Sequence, residues 1–285
     1  MLTSLNPPFR SVYTPSPFQM HPFHWWECGQ GTETVVFLHG IMAHAMAFRL
    51  AVSPLAARFR VIVADLPAHG RDQTFRSPDD IPPTVQGLSR WLDALLASIG
   101  DSRVHLVGHS LGATLGFHRA LRADRAPLQS LTLISPGLKL RTPRQAAGLI
   151  KRLPSPLAQL GMNRLGIRLL EPLQWRRARM TTDELDAYLE PLKHPARLDF
   201  MLRLAADLVA AGDRSQGAEH IALPTLLIWG DRDHLLPLET AHRLERAIPR
   251  ASLHVFNACG HCPMEDYPDD FNRLLADFLA LHAHP

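Results

Sequence analysis

Six short apolar runs alternate with longer segments of helical period, and this alternation leaves the chain few ways to fold. The runs are 34–38 (TVVFL), 60–64 (RVIVA), 104–107 (VHLV), 130–134 (SLTLI), 225–229 (TLLIW) and 252–256 (SLHVF). They are β-branched and mostly apolar on both sides, as strands are when a parallel sheet is covered on both faces. Segment 85–99 sets Leu88, Trp91, Leu92, Leu95 and Leu96 on one helical face. Segments 111–122, 238–247 and 270–281 also read as helices that follow strands. The fold class predicted is α/β: a mostly parallel sheet with helices on both faces. The Pro-rich first 20 residues read as an extended arm or a weak edge strand. The alternation breaks once, over 139–219, where the pattern is helical and punctuated by Pro143, Pro154, Pro156, Pro172, Pro191 and Pro195. Residues 1–138 and 220–285 are therefore expected to form the core, and 139–219 a helical lid over one end of the sheet.

Composition excludes several classes. With 46% apolar and 20% charged residues the chain is not disordered. A net charge of +3 is no nucleic-acid footprint. Three cysteines (Cys28, Cys259, Cys262) make no disulfide framework and fit a reducing compartment. No apolar stretch reaches membrane-spanning length, and the amino-terminal residues lack a signal-peptide run. A cytoplasmic protein is expected.

Gly108-His109-Ser110-Leu111-Gly112 lies directly after a strand and directly before a helix, the context that a nucleophile elbow requires. Glycines two positions either side of the serine let a very tight turn close. The turn strains the serine backbone and exposes its hydroxyl, and the helix start behind it offers free N–H groups to a developing anion.

A serine nucleophile needs a base, itself oriented by a carboxylate. Among sixteen histidines, position selects His261, on the Gly-containing loop after the last strand. His254, inside that strand, reads as structural. The acid should end the preceding strand, where Asp231 and Asp233 compete. Asp231 adjoins the turn glycine and could simply cap it; Asp233 lies where it can reach His261 and is preferred. The oxyanion donors expected are the N–H of Leu111 and that of Ile41, with Met42 second, from the loop after TVVFL. His44 reads as a surface or capping residue. Cys259 and Cys262 flank His261, but no second pair exists and a zinc there would consume the base. No metal or organic cofactor is called for.

With these residues in place the chain resembles the α/β-hydrolase superfamily, in its esterase, lyase and cofactor-free peroxidase branch. The resemblance covers about 24–138 and 220–282. It rests on FLHG (37–40), VIVADLPAHGRD (61–72), GHSLGA (108–113), WGDRDHLLP (229–237) and CGHCPMEDYPDDF (259–271), in the expected order. It implies Ser110 as nucleophile, His261 as base and Asp233 as orienting acid. Ser110 excludes the aspartate nucleophile of the related dehalogenases and epoxide hydrolases, and the signatures of the similar proline iminopeptidases are absent. Two positions depart from the pattern: Ala68 replaces the usual glycine and Asp72 the usual serine.

Segment 139–180 carries ten basic residues against one acid, Glu171, whereas 181–219 holds eight acids and four bases. Such polarity could steer an acyl carrier protein, a coenzyme A thioester or an anionic membrane surface, or its two halves could simply pair. The expected activity is hydrolysis of a small-molecule carboxylic ester or thioester through an acyl-enzyme. The alternatives are acyl release or transfer from a carrier, C–C hydrolysis or lyase chemistry on the same residues, and a ligand-binding protein without turnover.

Overall fold

The computed structural model describes residues 10–14, 23–70, 75, 81–101, 103–122 and 128–284. These build eight strands: β1 (Arg10–Thr14), β2 (Phe23–Cys28), β3 (Thr34–Leu38), β4 (Arg60–Ala64), β5 (Val104–His109), β6 (Leu128–Ile134), β7 (Thr225–Gly230) and β8 (Ala251–Phe256). They form one sheet in the order β1-β2-β4-β3-β5-β6-β7-β8. β1 and β2 run antiparallel at one end, and β3 through β8 are parallel.

Both faces are covered, so the α/β class holds. On one face pack α2 (Val85–Ile99), α3 (Leu111–Ala120) and α9 (Leu238–Ala247), through Leu88, Leu92, Leu115 and Leu244. On the other lie α1 (Val52–Leu55) and α11 (Pro268–His282), through Val52, Leu55, Phe271 and Leu275. α2 begins where the Thr84 hydroxyl accepts from the Gly87 N–H and ends at Gly100, φ 75°. These are the cap and stop residues that helix ends favour.

The six runs fall where strands occur, with two differences. Apolar patterning did not single out β2 (FHWWEC), whose aromatic residues pair antiparallel with β4. β8 is an edge strand whose burial alternates, so His254 is exposed rather than packed inside. Of the amino-terminal arm, the described part is β1, an edge strand; residues 1–9 and 15–22 lie outside the described residues, as does Asp72. Ala68 adopts φ 67°, the left-handed region in which glycine carries no strain.

Between β6 and β7 the chain is helical: α4 (Ala146–Arg152), α5 (Ser155–Gly161), α6 (Arg164–Gln174), α7 (Thr182–Leu189) and α8 (Pro195–Ala211). From α8, the buried Arg197 guanidinium donates to the carbonyls of Ala68 (2.9 Å) and Gly70 (2.6 Å) in the loop after β4. A short α10 (Pro263–Asp266) precedes α11. No helix among the described residues is long and apolar enough to cross a membrane.

Candidate active site

β5 ends at His109 and α3 starts at Leu111, which leaves Ser110 alone at the corner with φ 52° and ψ −108°. A non-glycine residue there stores about 1–3 kcal/mol of strain and persists only if its surroundings over-determine it. They do: the Ser110 N–H donates to Ile134 O at 2.9 Å, and its carbonyl accepts from Thr114 N, Thr114 Oγ1 and Gly137 N at 3.0–3.1 Å. A Cβ on Gly108 would lie 2.5 Å from the Gly112 and Ala113 backbone, and one on Gly112 would lie 2.2 Å from Leu38 O. Neither neighbour is a side chain that can swing away. Gly112→Ala is therefore expected to destabilise the fold by about 2–3 kcal/mol and to abolish turnover. Urea unfolding checks this; parental stability would mean that the turn relaxes freely.

His261 lies on the loop after β8. Its ring Nδ1–H donates to Asp233 Oδ2 at 2.7 Å. Asp233 follows β7, and its other oxygen accepts from the N–H groups of Leu235 (2.8 Å) and Leu236 (3.0 Å). Burial pushes the Asp233 carboxyl up, but the His261 charge and hydrogen bond, with the two N–H groups, hold it below the ordinary carboxylate range. Asp231 does not meet His261; its carboxylate accepts from Cys259 N at 3.1 Å and braces the histidine loop. Ser110 and His261 line one cavity of about 70 Å³ together with Gly40, Ile41, His109 and Tyr188.

His109 ties the elbow to the histidine loop: its Nε2–H donates to His261 O at 2.9 Å, and the two rings lie 4.6 Å apart. Burial, helped by the neighbouring His261, pushes its pKa down to about 3. The ring is thus a neutral brace at any ordinary pH.

The loop after β3 carries the other expected donor. A Cβ on Gly40 would stand 3.1 Å from Ser110 Cβ and 3.2 Å from His109 Nδ1, so glycine lets this loop approach Ser110. Ile41 lines the cavity. Met42, at φ 58°, packs against the cluster around Leu198 and Met201 instead. Leu111 is the first residue of α3, where no helical carbonyl reaches its N–H. His44 caps the 3-10 turn Ala45–Phe48 by accepting from Met46 N at 3.2 Å.

Asp65, just past β4, anchors this loop. It accepts from Ala45 N at 2.8 Å and meets His24 at 3.2 Å, while His39 Nε2 accepts from Leu66 N at 2.9 Å. Burial raises the Asp65 carboxyl, but the His24 hydrogen bond, the neighbouring His39 and His24 rings and the Ala45 N–H outweigh it and bring the pKa from 3.8 to about 2. A depressed carboxyl pKa contributes stability above its unfolded value, and that stability is lost as pH falls through the folded one. Nearly two pKa units correspond to about 2 kcal/mol. Asp65→Asn should lose about that much at pH 7 and should flatten the acid side of the stability curve between pH 3.8 and 2. Urea unfolding across that pH range checks this, and an unchanged acid slope would refute it.

Several residues at the site carried no sequence signal. Gln174, at the end of α6, accepts through its carbonyl from His261 N (2.7 Å) and Cys262 N (3.2 Å). Tyr188, on α7, adds a phenol to the cavity wall; burial first, then Glu265 and Cys262, keeps it well above its ordinary pKa. Asp266 accepts from the backbone N–H groups of Gly260, Arg176, Arg177 and Ala178. The buried Glu265 accepts from Arg49 and from the Trp175 indole, both at 2.6 Å, and Arg49 also pairs with Glu184. These acids tie the histidine loop to the segment between α6 and α7. Cys259 and Cys262 are free and buried, and burial together with nearby carboxylates pushes both thiols up, away from thiolate. Among the described residues no group of three or more His, Cys, Asp or Glu could hold a metal ion.

A model of the alpha/beta hydrolase family matches residues 35–274. The chain belongs to that family. Within it, the chain is 31% identical over 268 residues to 2-hydroxy-6-oxononadienedioate/2-hydroxy-6-oxononatrienedioate hydrolase 2 of Pseudomonas putida, covering 90% of this chain and 91% of the relative. It is 32% identical over 273 residues to the hydrolase of the same description from Cupriavidus pinatubonensis, covering 90% of each. The structure of an esterase from Exiguobacterium antarcticum superposes with a TM-score of 0.79 at 15% identity, covering 95% of this chain and all of that one, a likeness of alpha/beta hydrolase fold alone. The carrier protein or coenzyme A thioester that the basic segment could have steered finds no support in these relatives.

Proposed function

We propose that the chain hydrolyses a C–C bond beside a ketone, in a 2-hydroxy-6-oxo-dienoate type of substrate, through Ser110, His261 and Asp233. The observation that carries this is the likeness to two hydrolases of such compounds over nine-tenths of the chain, together with a paired His261 and Asp233 beside Ser110. The leading expectation from the residues was ester or thioester cleavage; the relatives favour the C–C alternative.

The chemistry differs from ester cleavage only in what leaves. His261 takes the Ser110 proton as Oγ bonds to the ketone carbon. The carbonyl oxygen becomes an oxyanion, held by the Leu111 and Ile41 N–H groups. Collapse re-forms the C=O and breaks the C–C bond. Before this collapse the substrate ketonises, its 2-hydroxyl proton passing to C5, the carbon beside the ketone. The electron pair of the broken bond then delocalises into the 2-oxo-enoate fragment, and His261 gives that fragment the proton it took from Ser110. Water, deprotonated by His261, then cleaves the Ser110 ester and releases a carboxylate. In this reading α4–α8 act as a cap, because Gln174 and Tyr188 wall the cavity.

Ester hydrolysis is the second reading. It is favoured by one observation: the described residues that line the cavity include no Lys or Arg to meet the carboxylates of a dienedioate. The deciding experiment follows the visible absorbance of a 2-hydroxy-6-oxo-dienoate alongside p-nitrophenyl esters from acetate to palmitate. Dienoate turnover that outruns every ester supports the proposal. Ester turnover with the dienoate untouched moves the assignment to esterase.

A further inference from the structure

Seven of the nine exposed large hydrophobic residues among the described residues are leucines between positions 149 and 173. Leu149, Leu157, Leu160, Leu165 and Leu169 are each 57–76% exposed. Single exposed leucines are ordinary, but a concentration on three consecutive helices is a surface that water disfavours. α6 shows the reason. Leu165, Leu169 and Leu173 recur at a spacing of four and face outward. Its Ile167 turns inward to the cluster formed by Ala158, Leu189, Leu192, Leu198, Met201 and Leu202. The inner face is covered by α7 and α8; the leucines of the outer face are covered by nothing among the described residues.

Charge says what fits there. Lys151, Arg152, Arg164 and Arg168 are exposed on the same helices. Arg164 pairs with Asp186 of α7 and Arg168 with Glu171, so Lys151 and Arg152 are the cations this face offers to an outside anion. The one carboxylate between 139 and 180, Glu171, is only 4% exposed and accepts from Arg168. The outer face therefore presents leucines with the Lys151 and Arg152 cations, and the partly exposed Asp186 of α7 is engaged by Arg164. A second copy of the chain is a poor occupant, because a two-fold contact sets this same patch on both sides and brings no acid of the patch to meet its Lys151 and Arg152 cations. An anionic bilayer surface suits both features: leucines enter the acyl boundary while Lys and Arg meet lipid phosphates.

We propose that the outer face of α4, α5 and α6 docks on anionic phospholipid membranes. The surface adjoins the site, since α6 ends at Gln174, whose carbonyl holds the N–H groups of His261 and Cys262. The proposal is independent of the bond that the enzyme cleaves, and its readout is binding, not turnover.

The test is flotation of the purified chain with vesicles of mixed phosphatidylglycerol and phosphatidylcholine, and with pure phosphatidylcholine, at low and high salt. Binding to the anionic vesicles should be at least about tenfold tighter than to the neutral ones, and should weaken with salt. Leu165→Ser/Leu169→Ser should abolish it while leaving turnover of a soluble substrate within about twofold, since both side chains are mostly exposed. Lys151→Glu/Arg152→Glu should also abolish it without touching a leucine. No binding to anionic vesicles, or binding indifferent to both variants, overturns the proposal. So does a dimer, seen by light scattering, that the leucine variant converts to monomer, because that result gives the face to a second copy.

Discussion

Ser110→Ala is expected to lower kcat by about 10⁴- to 10⁶-fold while the protein stays folded. The chemical half of this follows from the proposed acyl-enzyme: without Oγ, no covalent intermediate forms, and only the oxyanion donors and substrate binding remain to assist water. The structural half follows from the corner itself. Alanine keeps the Cβ, so the strain at φ 52° is unchanged, and every hydrogen bond that holds the corner is made by the Ser110 backbone. Unfolding midpoints should therefore agree within about 2–4 °C, the shift that 1 kcal/mol produces in a domain of this size. Ser110→Gly sharpens the comparison. It should be equally inactive yet at least as stable, because glycine relaxes the left-handed strain. The measurement is kcat with the dienoate and the best ester, alongside thermal unfolding. If Ser110→Ala retained a tenth of the parental kcat, the serine would not be the nucleophile and the proposed mechanism would fail for both substrate classes.

The sheet was legible because its signal is local. A buried parallel strand must be apolar on both faces, so 34–38 and 60–64 announced themselves to the residue. β2 did not, since an antiparallel strand near an edge needs no such continuous aliphatic run, and FHWWEC has none. At the site, Ser110, Asp233 and His261 were legible as candidates because each follows the end of a strand; the fold pairs His261 with Asp233 and sets Ser110 on the same cavity as His261. The pairing of His261 with Asp233 rather than Asp231 depends on loop geometry: Asp231 is spent on the Cys259 N–H. Gln174 and Tyr188 were illegible for a different reason. They reach the cavity from helices whose sequence has no constraint tied to the sheet, and Gln174 acts through its backbone carbonyl, for which any residue type would serve. Asp266 shows the same limit from the acid side. One carboxylate gathers four backbone N–H groups, three of them about 90 positions earlier in the chain and one only six positions earlier, and spacing cannot foretell such a contact.

Asp233→Asn is the variant that separates orientation from structure. The two Asp233 oxygens have different duties: one accepts from the Leu235 and Leu236 N–H groups, the other from His261. An asparagine can keep its carbonyl on the first pair, so the loop holds. Its amide then faces His261 Nδ1 and donates where the carboxylate accepted. That reverses the imidazole: the proton moves to Nε2, which can no longer take one from Ser110. The expected loss is about 10⁴-fold in kcat, with little change in KM or in unfolding midpoint. Asp233→Ala, by contrast, leaves two loop N–H groups without an acceptor and should lose stability as well, about 1–3 kcal/mol for each buried group left unpaired. The depressed Asp233 pKa fixes the sign of the pH effect. In the parent the orienting charge is present at and above the ordinary carboxylate range, and it disappears only as pH falls below that range. Asp233→Asn lacks the charge everywhere, so its deficit should persist from neutral to alkaline pH. Recovery of parental kcat anywhere in that range would show that His261 takes its tautomer from some other group, and the orienting role would pass from Asp233.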